Sequence, residues 1–99
     1  EVASCGVIRC EVLRGIIRRK VRERMKALFD VLPVVETDEA AWDRTAALTW
    51  ILDRRGVVLP LTDVLIAVCA LRAGAVVVST DEHFQHIPHL SVLSSLPAS

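Results

Sequence analysis

The feature that most constrains the fold is a helix without a polar face, followed at once by a β-branched run. Val64, Leu65, Ile66, Ala67, Val68, Cys69, Ala70 and Leu71 stand in unbroken succession. A helix that is apolar all round is buried on every side. Thr62 or Asp63 opens it, Gly74 stops it, and Ala75 to Ser79 then read Ala-Val-Val-Val-Ser. That run predicts a strand covered on both faces. A buried helix leading into such a strand calls for further helices packed on a sheet, which predicts an α/β chain with a parallel sheet.

The remaining sequence supplies the other elements. Ala3 to Ile8 reads as a short strand ending in Val7 and Ile8. A helical turn from Arg9 to Gly15 carries Glu11. A longer helix from Arg18 to Leu32 repeats its apolar residues Val21, Met25, Leu28 and Leu32 on one face and ends at Pro33. Pro33 to Val35 is a candidate strand. Thr37 or Asp38 caps a helix that runs to Arg55, with Trp42, Ala46 and Trp50 in one stripe and Ala47 and Ile51 beside it. Gly56 suits the position after its end. Val57 to Leu61 is an extended linker. After the β-branched run, Asp81 to Ile87 forms a short helix stopped by Pro88, and Leu90 to Leu93 a last strand. Residues 1–93 are expected to form one domain and Ser94 to Ser99 a flexible tail. Strands alternating with helices place helices on both faces of the sheet, and function then gathers at the carboxyl ends of the strands.

Composition narrows the class. With 53% hydrophobic residues in 99, the chain has material for one buried core. No apolar run approaches the roughly 18–20 residues of a membrane helix, and no secretory leader is visible. Cys5, Cys10 and Cys69 fit neither a C-x-x-C pair nor a zinc ribbon, and read as buried thiols in a reducing cytoplasm. Formal net charge is zero, but residues 9–26 hold eight basic residues against Glu11 and Glu23. Such a segment can neutralise phosphates, meet an acidic partner, or simply be a solvated helix face.

Most acids sit on amphipathic helices among basic neighbours and need no special role. Glu11 follows the first predicted strand, Asp63 opens the buried helix, and Asp81 follows the strongest strand. In a parallel sheet Glu11 and Asp81 leave their strands on the same edge. Carboxylates converging in one cleft repel unless a cation neutralises them, and all-oxygen ligands suit Mg²⁺ or Mn²⁺. Each acid has a plainer reading: Asp63 and Asp81 as helix caps, Glu11 as a surface partner of Arg14 or Arg18. His83, His86 and His89 are spaced by three, but Pro88 keeps them off one helical face, so surface or partly buried histidines are expected rather than zinc ligands.

The ordered set of motifs resembles a known family. Leu59-Pro60-Leu61-Thr62-Asp63-Val64-Leu65-Ile66-Ala67, then Ala70-Leu71, Gly74-Ala75, Ser79-Thr80-Asp81-Glu82-His83-Phe84 and Ile87-Pro88-His89-Leu90 resemble the C-terminal half of PIN domains. They are especially similar to the VapC-type toxins of bacterial and archaeal toxin–antitoxin pairs. In that family the second acid lies in a T-x-D-x-x-F-like context, here one residue shorter between Thr80 and Asp81. Val7-Ile8-Arg9-Cys10-Glu11-Val12-Leu13-Arg14-Gly15 is similar to the family's strand, glutamate and turn. The resemblance implies a three-layer α/β/α domain and a ribonuclease that hydrolyses RNA phosphodiester bonds. It further implies a four-acid site for Mg²⁺ or Mn²⁺, in which Glu11, Asp63 and Asp81 are three of the acids. Arg14, Arg18, Arg19, Lys20 and Arg22 would contact RNA or a partner. It also implies a small antitoxin protein and a homodimer, in the cytoplasm and away from membranes. The family opens with a central strand ending in aspartate, and nothing before Glu11 matches it. The expectation is therefore a chain lacking that strand, either truncated or completed by a partner chain.

Two other readings compete. A non-catalytic PIN-like module would bind antitoxin or RNA and have no need of tight metal binding. A receiver domain also gathers acids around Mg²⁺, but it needs an acidic pair after the first strand and a lysine after the last, and neither is present.

Overall fold

The computed structural model describes residues 4–94, so the expected tail beyond Ser94 lies outside the described residues. The chain divides into two compact units, Glu1–Glu36 and Thr37–Ser99.

In the first unit, α1 spans Gly6–Arg14 and α2 spans Arg19–Val31. The strand expected from Ala3 to Ile8 is reduced to one parallel bridge between Ser4 and Val34. Ser4 donates to the Pro33 carbonyl at 2.9 Å, and Val35 donates to the Ser4 carbonyl at 2.8 Å. Cys5 keeps an extended backbone and its carbonyl accepts from Arg9, so the chain turns helical at Gly6. The β-branched pair Val7-Ile8 is too short to impose a strand, and Arg9, Glu11, Leu13 and Arg14 are good helix formers. Glu11 consequently sits in mid-helix rather than at a strand end. The Arg9 guanidinium reaches Asp30 at 2.6 Å and ties α1 to α2. The apolar face of α2 is only partly covered: Phe29 is buried, whereas Val21 and Leu28 are exposed.

In the second unit, α3 spans Glu39–Arg54, α4 Leu61–Ala73, β1 Val77–Val78, a 3-10 turn Glu82–His86, and β2 Val92–Leu93. Asp38 caps α3 by accepting from the Ala41 N–H at 2.9 Å. The core face of α3 is Ala41, Thr45 and Leu52, and the Thr45 hydroxyl donates to the Ala41 carbonyl. Trp42 and Trp50 lie outside that core, with the Arg54 guanidinium 4.5 Å from the Trp50 ring centroid. The all-apolar α4 is the centre of the unit, with every residue from Val64 to Cys69 buried. It packs on α3 and on the 3-10 turn, whose Phe84 and following Ile87 are also buried. Gly74 ends α4 at φ +64°, and Ala75 donates back to the Ala70 carbonyl at 2.8 Å, a left-handed stop that favours glycine.

β1 and β2 run parallel, Val77 beside Val92 and Val78 beside Leu93. The α/β class and the parallel pairing thus match expectation, and each expected strand from residue 33 onward appears in place but shorter. The β-branched run is not covered on both faces: Val77 is buried, while Val76 and Val78 are exposed. Among the described residues β1 has one ladder partner, β2, and the alternation of exposed Val76, buried Val77 and exposed Val78 leaves one face of the run covered. Cys5 and Cys69 are buried as expected, but Cys10 is exposed on α1. No described helix is long and apolar enough to cross a membrane.

One charged clamp ties the start of α3 to the end of α4. Both Asp38 carboxylate oxygens accept from the Arg72 guanidinium, the outer contact at 3.0 Å. That pairing, joined by the Ala41 N–H, holds the Asp38 carboxyl down at about 2, below its ordinary 3.8. A depressed folded pKa stabilises above the unfolded value and loses that contribution as pH falls through the folded one. The stability advantage of the wild type over Asp38→Asn is therefore full above pH 3.8 and disappears as pH approaches about 2. Urea melts of both proteins across that window check this.

Candidate metal centre

Asp63 occupies the first turn of α4, but it is not the cap. Pro60 holds that position, and its carbonyl accepts from Asp63 and Val64 at 3.1 and 3.2 Å. The helix starts earlier than expected because Pro60 fixes a φ of −56° that suits a helix start. The Asp63 carboxylate is thereby turned to another use, at the positive end of the helix dipole.

Asp81 does cap its turn, and two local side-chain bonds hold it. The Ser79 hydroxyl accepts from the Asp81 N–H at 3.0 Å, and Asp81 Oδ1 accepts from the His83 N–H at 3.0 Å. Ser79 itself is anchored by its N–H to the Leu93 carbonyl at 2.8 Å, so β2 fixes where the acid leaves the sheet. Ser79, rather than Thr80, is thus the hydroxyl residue two positions before the acid.

The 3-10 turn that Asp81 starts carries His83 back over both acids. His83 Nδ1 donates to Asp63 Oδ2 at 2.7 Å and lies 3.2 Å from Asp81 Oδ1. The hydrogen bond to Asp63 raises the imidazole pKa above 6.5; partial burial opposes it, and the charges of Asp81, Asp63 and Glu82 add to it. Donor atoms of Asp63, Asp81 and His83 lie within 4.8 Å of one another. Asp63 and His83 are half-buried and Asp81 is exposed, so the cluster opens to solvent.

Two of the three acids singled out in the sequence are therefore together. Glu11 is not a member of this cluster and is exposed on α1 of the first unit. Arg14, Arg18, Arg19, Lys20 and Arg22 are exposed in that same unit. His86 and His89 are not members of the cluster. His83 was not expected there.

The donor set fits a divalent cation. Two carboxylates near one imidazole offer hard oxygen ligands and one nitrogen, the usual chemistry for such ions. The two neighbouring carboxylates favour the charged form of the imidazole, which is the direction of its shift.

The PIN-domain family model matches residues 1–90. The chain belongs to the PIN-domain family. This PIN domain is 31% identical over 97 residues to VapC ribonuclease Mb1587 of Mycobacterium bovis, covering 96% of the chain and 72% of the relative. Ribonuclease VapC11 of Mycobacterium tuberculosis matches with the same identity and coverage. Among solved structures, VapBC2 from Rickettsia felis, bound to a DNA fragment from their promoter, contains a chain of the same fold. The TM-score is 0.76 at 19% identity, over 91% of this PIN domain and 71% of that chain.

Proposed function

We propose that this PIN domain is the toxin component of a toxin–antitoxin pair and an endoribonuclease that hydrolyses RNA phosphodiester bonds with Mg²⁺ or Mn²⁺. The observation that carries the reading is the convergence of Asp63 and Asp81 from two different elements onto one cluster. A bound divalent cation supplies Lewis-acid stabilisation of charge on the phosphate. The protein's part is to hold the two carboxylates in place. The first turn of α4 fixes Asp63, and the Ser79 and Asp81 turns fix the second acid. The solvent-open cluster admits a backbone phosphate. The ribonuclease names of the mycobacterial relatives support the same reaction class.

Other parts of the reading rest mainly on the family. Glu11 is a third acid of the reaction, tested on its own by Glu11→Gln. Arg14, Arg18, Arg19, Lys20 and Arg22 contact the RNA backbone through salt-dependent charge pairing. A small antitoxin protein is the cognate partner, in line with the VapBC2 neighbour. The chain acts as a cytoplasmic homodimer, which sedimentation equilibrium reads directly.

The experiment is incubation of the chain with a mixed structured RNA, with Mn²⁺ and with EDTA. Cleavage with Mn²⁺ that EDTA abolishes is expected. RNA retention without cleavage, and without metal binding, would instead establish a non-catalytic binding module.

A further inference from the structure

We infer that His83 is itself a ligand of the cation, and that its nitrogen shifts the centre's preference from Mg²⁺ toward Mn²⁺. This rests on the reading of Asp63 and Asp81 as a cation site and goes beyond it by adding a third, softer donor from the chain.

Divalent ions of this size sit about 2.0–2.2 Å from nitrogen or oxygen ligands, so neighbouring ligands around one ion stand roughly 3 Å apart. His83 Nδ1 is 2.7 Å from Asp63 Oδ2 and 3.2 Å from Asp81 Oδ1. The imidazole nitrogen is thus already at the separation that two carboxylate oxygens and a nitrogen take on one ion. The nitrogen facing the acids is Nδ1, the ring atom that a cation held between the three side chains would meet.

Rigidity favours the same conclusion. The backbone that carries the His83 ring is held. Its own N–H is bonded to Asp81 Oδ1, and the next residue, Phe84, is buried and anchors the turn. The backbone therefore delivers the ring to the acids at little further entropic cost.

Donor chemistry sets the preference. Carboxylate and water suit Mg²⁺ and Mn²⁺ alike, whereas imidazole favours first-row transition ions. An all-oxygen site has little basis for choosing Mn²⁺, and a site with one imidazole has a clear one. Even groups that only support a ligand change metal affinity on the order of 10–100-fold. Loss of the nitrogen should lower Mn²⁺ affinity by at least about tenfold, and Mg²⁺ affinity by less, so the Mn²⁺-over-Mg²⁺ ratio falls. His83→Asn tests this, because its amide oxygen can take the Nδ1 position while remaining a hard donor.

The measurement is calorimetric titration of the metal-free chain with Mn²⁺ alone and with Mg²⁺ alone, for wild type and His83→Asn. It is paired with electron spin echo spectroscopy of Mn²⁺ on the wild type. Expected are nitrogen modulation of the wild-type Mn²⁺ signal and, in the variant, a tenfold or larger fall in Mn²⁺ affinity with a lowered Mn²⁺-over-Mg²⁺ ratio. Mn²⁺ that binds without nitrogen modulation, with an unchanged ratio in His83→Asn, overturns the role of His83 and leaves the acid site standing. Failure of both ions to bind the wild type overturns the site and the inference together. The wild-type spectrum decides the point even if the variant folds poorly.

Discussion

Asp63→Asn and Asp81→Asn each lower metal-dependent RNA cleavage by at least ~10²-fold, a loss comparable to removing one well-placed electrostatic group from an active site. Each substitution keeps the side chain's size and removes its charge. The two carboxylates serve one cluster, bridged by His83 at 2.7 and 3.2 Å, so their effects do not add. The double variant is expected to be little worse than either single one. Circular dichroism should show retained helix. Asp63 does not cap α4, and in Asp81→Asn the amide oxygen can still accept the bond that starts the 3-10 turn. Initial cleavage rates for the four proteins check this. Additive losses would mean that the acids act in separate places.

The second large effect is on stability. Leu65→Ala should cost about 2–5 kcal/mol, the range for a buried leucine whose cavity collapses only partly. Leu65 is 1% exposed in the middle of α4, between neighbours that are themselves buried. A small domain has only about 5–15 kcal/mol of net stability, so this loss approaches unfolding. The melting temperature of the second unit should fall by roughly 10 °C or more. Leu71→Ala on the same helix is the control: Leu71 is 37% exposed, and its loss should be much smaller. Equal losses at the two positions would contradict the placement of α4 at the centre of the unit.

The helices were legible because their signals are local. Asp38 as a cap, Pro33 and Gly74 as stops, and the all-apolar run from Val64 fixed α2, α3 and α4 to within a few residues. Strand extents were not, because a strand depends on its neighbours. Val76 to Val78 carry the composition of a strand covered on both faces, yet only Val77 is buried, because cover depends on what packs on each face and composition does not show it. Val7 and Ile8 misled for the same reason: without a ladder partner, the helix-forming residues after them prevail. At the site, both acids were readable from position, as one opened a buried helix and the other followed a strand. His83 was not, because its contact to Asp63 spans 20 residues and depends on how the 3-10 turn packs on α4. Asp81 does cap its turn while also joining the cluster, whereas Asp63 does not cap α4, where Pro60 takes that place.

The most direct test of the central claim is a crystal of this chain soaked in Mn²⁺ and examined by anomalous diffraction. The account predicts an anomalous peak within about 2.0–2.3 Å of carboxylate oxygens from both Asp63 and Asp81. A well-occupied peak elsewhere, or none beside these two acids at saturating Mn²⁺, would contradict it.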